Sequence, residues 1–201
     1  MIEALGRLAG SLLMITLPVL AVAGEASPQC YSNAGYLIVE YERNGEFPDF
    51  LVKPKSSSSQ ETPCRFDPQP QDFSDLDTTH SDDDRTYRFV ILKDDLLVVQ
   101  RDQGVGVTTS YLLTIDLKTR SSNDELGSPD EVDVVDDSHI SFWQGTDIKP
   151  TKKNCPEYYN PAKLKKMFDD AIAVVQKRVT FDLSTRQLAE QSVTRCVALS
   201  D

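Results

Sequence analysis

The sequence predicts an α+β fold, mainly antiparallel β-sheet built as a meander and hairpins, with one packed amphipathic helix near residues 161–178. Three observations predict it. Short runs rich in β-branched and aromatic residues recur between polar turns, the signature of short strands. One segment opens on Asn160-Pro161 and then repeats apolar residues at helical spacing. Four cysteines, Cys30, Cys64, Cys155 and Cys196, suit a framework of two disulfides in an exported domain.

Residues 1–23 read as a cleaved secretory signal. Arg7 supplies positive charge, and LAGSLLMITLPVLAVA is an apolar core shorter than the roughly 20 residues that span a bilayer. Ala21-Val22-Ala23 before Gly24 fits the small-residue cleavage rule. Cys30 follows Ser-Pro-Gln, which departs from a lipobox, and no later segment is apolar enough to cross a membrane. The expected location is secreted or periplasmic, with residues 24–201 as a single globular domain and no transmembrane anchor in the mature form.

The strands follow in order. GYLIVEYE at 35–42 reads as a strand, with residues 50–52 as a short partner. A long polar loop at 53–86 comes next, punctuated by Pro54, Pro63, Pro68 and Pro70 and pinned at Cys64. Residues 87–92, 96–100 and 108–115 form a three-stranded meander, the first turn being Lys93-Asp94-Asp95. After an acidic loop, residues 132–135 and 139–143 read as two further short strands. In the helix, Asn160 is the N-cap and Pro161 the first helical residue. Leu164, Met167, Phe168, Ala171, Ile172 and Val175 share one face, and Lys177 and Arg178 suit the C-terminal end of the dipole. Residues 179–182 and 188–199 close the fold as a hairpin. Sequence proximity favours Cys30–Cys64 and Cys155–Cys196 among the three possible pairings, each bridge contributing about 2–4 kcal/mol.

Charge is the most informative functional signal. The formal balance is −11, and it is concentrated. Asp67, Asp72, Asp75, Asp77, Asp82, Asp83 and Asp84 occur without an intervening Lys or Arg. So do Asp124, Glu125, Asp130, Glu131, Asp133, Asp136 and Asp137. Lys149, Lys152, Lys153, Lys163, Lys165 and Lys166 gather around the helix start instead, a set that the chain's own acidic loops could neutralise. Concentrated negative loops steer association toward positive partners. The partner expected is therefore a basic protein, and not nucleic acid.

The expected contact residues are Asp72, Phe73, Asp75, Asp77, Asp82, Asp83, Asp84, Asp130, Glu131 and Trp143, with Phe73 or Trp143 as the apolar anchor. In concrete form this is a disulfide-stabilised protein-binding module, such as an inhibitor or immunity protein that masks a basic, cell-wall-active enzyme. The alternatives are a carboxylate-dependent envelope hydrolase and a calcium-stabilised adhesion or assembly module.

No catalytic residue, metal site or cofactor is assigned. His80 and His139 have Asp and Ser neighbours, but there is no Gly-x-Ser-x-Gly elbow, His-Glu-x-x-His or glycine-rich phosphate loop. A cation site among Asp75, Asp77 and Asp82–Asp84 lacks the glycine and closing glutamate of an EF-hand. Finally, TIDLKTR at 114–120 and TFDLSTR at 180–186 echo each other. The expected helix between them argues against propeller blades, which leaves two hairpin corners of one sheet, each started by an Asp that binds its own backbone.

Overall fold

Residues 96–99 (LLVV) and 112–115 (LLTI) are apolar at nearly every successive position, a pattern that suits strands covered on both faces. The computed structural model describes residues 27–42, 49–56, 62–74, 76, 86–102, 110–127, 131–164 and 171–200. The predicted signal at 1–23 lies outside the described residues. The described elements are β1 (Gln29–Ser32), β2 (Tyr36–Tyr41), β3 (Asp49–Pro54), β4 (Thr86–Lys93), β5 (Leu96–Asp102), β6 (Ser110–Asp116), β7 (Ser121–Gly127), β8 (Val132–Val134), β9 (His139–Gly145), α1 (Pro161–Leu164), β10 (Ala171–Asp182) and β11 (Gln187–Ser200).

The strands pair antiparallel with their sequence neighbours into three sheets: β1-β2-β3, β4-β5-β6-β7 and β8-β9-β10-β11. The middle sheet is the filling of the stack. Leu97, Val99, Leu113 and Ile115 pack with Ile38, Phe50 and Val52 of the first sheet. Leu96, Val98 and Leu112, one residue out of step, pack with Ile140, Phe142, Val179 and Phe181 of the third. Successive side chains on a strand point to opposite faces. A middle layer therefore needs apolar residues at both parities, while an outer layer needs them at only one.

This architecture corrects the predicted fold class. The sheet is antiparallel, as expected, but it is nearly the whole described structure, and the packed amphipathic helix is not there. Asn160 does cap a helical turn, since its Oδ1 accepts the Ala162 N–H at 3.0 Å. The described helix ends at Leu164, Met167 and Phe168 lie outside the described residues, and from Ala171 the chain is strand. The physical reason is an ambiguity of spacing. Val175 and Val179 are four residues apart, which places them on one face of either a helix or a strand. Ile172, Val174, Val175, Val179 and Thr180 are β-branched, which disfavours the helix, and both edges of β10 find partners in β9 and β11. The segment SSNDELG, read as an acidic loop, is strand β7 although its composition is poor for one. The neighbouring β6 supplies the ladder, and the buried Leu126 joins the core between the middle and third sheets.

Both cysteine pairs form as proximity favoured. Cys30 and Cys64 bridge with Cα atoms 5.9 Å apart, and Cys155 and Cys196 with Cα atoms 5.2 Å apart. The first ties the polar segment 62–74 to β1. Within that segment Phe66 stacks on Tyr41, Lys53 donates to the Asp67 carbonyl at 2.7 Å, and Phe73 pairs its backbone with Val52.

The sequence echo is also corrected. The two D-L-x-T-R corners belong to different sheets, at the same place in each: between the third and fourth strands of a four-stranded meander. Asp116 Oδ1 accepts the Lys118 and Thr119 N–H groups, each at 3.1 Å. Asp182 Oδ1 accepts those of Ser184 and Thr185 at 2.8 and 3.2 Å. Arg120 and Arg186 close the two turns with φ of 54° and 56°, the left-handed region that a non-glycine residue enters only at a cost. Each arginine then reaches toward the preceding sheet. Arg186 donates to Asp116 Oδ2 at 2.9 Å, and Arg120 donates to the Gln71 carbonyl at 3.1 Å while lying over the Phe73 ring.

Candidate binding surface

Residues 131–137 read EVDVVDD, and β8 puts them on the edge of the third sheet. Val132 and Val134 lie opposite Phe142 and Ile140 of β9, whereas Asp133 lies opposite Ser141. The valines and the carboxylates therefore take opposite faces of the strand. Val134 and Val135 are 53% and 59% exposed, which is high for a residue type that is usually inside. Glu131, Asp133, Asp136 and Asp137 all have exposed side chains around them.

These carboxylates have local partners at the surface. Asp133 pairs with Arg178, Glu131 lies 3.7 Å from Arg195, and Asp137 lies 3.6 Å from Lys93. Exposed pairs of this kind contribute about 0–1 kcal/mol each and leave carboxylate oxygens open to solvent. Arg178 and Arg195 also lie over the Trp143 ring, with guanidinium carbons 5.3 and 4.6 Å from its centroid. Ser141 and Gln176 complete the layer by accepting from the Nε–H groups of Arg178 and Arg195, each at 2.7 Å. The outer face of the third sheet is thus a polar, cation–π layer, with Trp143 half-buried inside it.

His139 begins β9 directly opposite Asp182. Its Nδ1 is 2.9 Å from Asp136 Oδ1, and its Nε2 is 3.9 Å from Asp182 Oδ2. The hydrogen bond with Asp136 raises the imidazole above its usual 6.5, helped by the nearby charges of Asp136, Asp182 and Asp137. The backbone N–H of Ser138, and then the His139 side chain, hold Asp136 below the usual carboxylate range. The Thr185 and Ser184 N–H groups do the same for Asp182. At Asp116 the hydrogen bond from Arg186 is the main cause of a similar lowering. All three carboxylates are thereby kept ionised, the state that attracts a cationic partner. A carboxyl serving as proton donor near neutrality needs the opposite shift.

The expected contact residues fall in several places. Asp72 is buried beside Lys53 at 3.7 Å and accepts the Gln69 N–H at 2.9 Å. Phe73 sits at the edge of β3 under Arg120. Glu131 and Trp143 come together on the third sheet, through Arg195. Asp75, Asp77, Asp82, Asp83, Asp84 and Asp130 lie outside the described residues, as does His80. Among the described residues, no cluster of three or more His, Cys, Asp or Glu is arranged to hold a metal ion. The sequence shows Asp133, Asp136 and Asp137 as an acidic run but does not mark Val134 and Val135 as exposed among them. The available signal was the alternation E-V-D-V, which separates charge from apolar surface on a strand. Arg178 and Arg195 were missed because the first was read as a helix end and the second carried no motif.

The chain was compared with protein families, curated proteins and solved structures, and none of the three comparisons gave a match. The cysteine pairs suggest an oxidising extracellular or periplasmic compartment. Among the described residues no helix is long and apolar enough to cross a membrane.

Proposed function

We propose that this chain is a secreted or periplasmic protein-binding module that captures a basic protein, in concrete form an inhibitor or immunity protein for a basic, cell-wall-active enzyme. The observation that carries this reading is the β8 rim, where exposed Val134 and Val135 are surrounded by Glu131, Asp133, Asp136 and Asp137. Apolar contact inside a charged rim is how many protein interfaces divide affinity from selectivity. The ionised state of Asp136 and the formal charge of −11 both favour a cationic partner. The two disulfides support a module that works outside the reducing cytoplasm.

The test is affinity capture by residues 24–201 from an envelope fraction, with elution in a salt gradient, followed by association kinetics with the eluted protein. The association rate should fall as ionic strength rises. Asp133→Asn with Asp137→Asn should lower it further at low salt. A rate indifferent to both salt and these substitutions would remove electrostatic capture from the account.

A further inference from the structure

We infer that the basic partner adds a strand to the free edge of β8, and that this strand alternates Lys or Arg with apolar residues. The inference rests on the basic-partner reading above and specifies how the partner is held. Among the described residues β8 is the last strand of its sheet and pairs only with β9, over the three residues Val132, Asp133 and Val134. An edge strand offers a row of backbone donors and acceptors to any extended segment that can approach it. Native proteins usually protect such edges with lysine, proline or a covering element. The side chains here are acidic and apolar instead, and Val134 on the strand and Val135 just after it are more than half exposed.

The register determines what an added strand must look like. Asp133 faces the same side as Ser141 and Trp143, and Glu131 reaches Arg195 on that side. Val132 and Val134 face the side of Phe142 and Ile140, where Val132 packs against the core between the sheets and Val134 stays 53% exposed. Directly opposed residues on neighbouring strands share a face, so the partner's side chains must follow the same division. Basic residues belong opposite Glu131 and Asp133, and apolar residues belong opposite Val132 and Val134. Arg178 and Arg195 already pair with two of these carboxylates, but Asp133 and Glu131 keep 63% and 70% of their side chains exposed. An incoming lysine can therefore share each carboxylate without displacing its arginine. Main-chain bonds then supply affinity and the alternating side chains supply selectivity, as in other cases of strand addition.

The test uses the oxidised protein and two short peptides of equal charge. One alternates Lys and Val, and the other is the same peptide N-methylated at alternate residues, which removes its strand-forming N–H groups. The expected result is roughly tenfold tighter binding of the first peptide, with slowed amide exchange at Val132 and Val134, whose N–H groups point away from β9. Val134→Lys should reduce that binding, with circular dichroism and thermal melting used to confirm that the variant folds. Equal, salt-sensitive binding of both peptides overturns strand addition while leaving the basic-partner reading intact. If neither peptide binds but the captured basic partner does, strand addition is again overturned. If no cationic probe binds at low salt, cytochrome c included, both readings fall together.

Discussion

The middle and third sheets have the same four-stranded meander and the same D-L-x-T-R corner, yet they are finished differently. In the middle sheet both faces meet another sheet, and its two central strands carry the runs LLVV and LLTI, apolar at nearly every position. In the third sheet Phe142 points into the core and the next residue, Trp143, points out under two arginines. The repeated element is therefore the backbone plan and its turn, while the side-chain pattern records whether a layer has one neighbour or two. The outer face of the third sheet ends the stack with a polar layer. The outer face of the first is closed by Cys30, Cys64 and Phe66.

Adjacent substitutions on β9 should give the largest contrast. Phe142→Ala removes a ring that is fully buried between two sheets and should cost about 3–5 kcal/mol in urea denaturation. Trp143→Ala removes cation–π contacts on the outer face and should cost about 1–2 kcal/mol. Similar losses at the two positions would mean that the outer layer is as much a core as the inner one. Replacing Cys155 and Cys196 together by alanine should lower stability by about 2–4 kcal/mol. That loss would disappear when wild type is compared under reducing conditions.

The corners offer a smaller and more discriminating comparison. Arg186→Ala breaks an exposed ion pair between sheets and should cost less than about 1 kcal/mol. The Asp116 carboxyl should then titrate closer to 3.8, measurable by carbon-detected NMR, because its main lowering cause is gone. Arg186→Gly relieves the left-handed backbone as well as breaking the pair, so it should be more stable than Arg186→Ala. If glycine is no better, the positive φ at Arg186 carries little cost.

The smallest effect is expected at His139. Its folded-state pKa is raised above 6.5, so its stabilising contribution is complete below that pH and is lost as pH rises through the folded value. His139→Gln should remove the pH dependence of melting temperature in that window and shift the acid limb only slightly, because the Ser138, Ser184 and Thr185 N–H groups remain on Asp136 and Asp182. The acid limb belongs to Asp116, Asp136 and Asp182, whose lowered values make their contribution present above about 3.8 and lost as pH falls through the folded values. An acid limb that largely followed His139→Gln would show that the imidazole, more than the backbone N–H groups, sets the Asp136 and Asp182 values.

Much of the strand content was legible because burial writes itself into a two-residue period or a continuous apolar run. Residues 36–41, 87–92 and 139–143 fall inside observed strands for that reason. The start of β10 was not legible, because Leu164, Ala171, Ile172 and Val175 satisfy a helical period and sequence spacing cannot reveal that β11 waits alongside. β7 was missed for the opposite reason, since its residues have little strand preference and take their conformation from β6. In the candidate site, the acidic run that contains Glu131 was visible. The burial of Asp72 by Lys53 was not, because that contact joins a strand to an irregular segment.

By itself, the sequence determined the two Asp-started corners, the concentration of negative charge and most strand positions, while it only favoured the cysteine pairing that the structure then formed. Each depends on short separations or on one residue's own chemistry. Only the tertiary structure decided that the corners belong to separate stacked sheets, that Arg186 ties them together, and that valines and carboxylates divide the β8 edge between them. Those facts depend on which faces find a partner, and a linear pattern can say that a face is apolar without saying what will cover it.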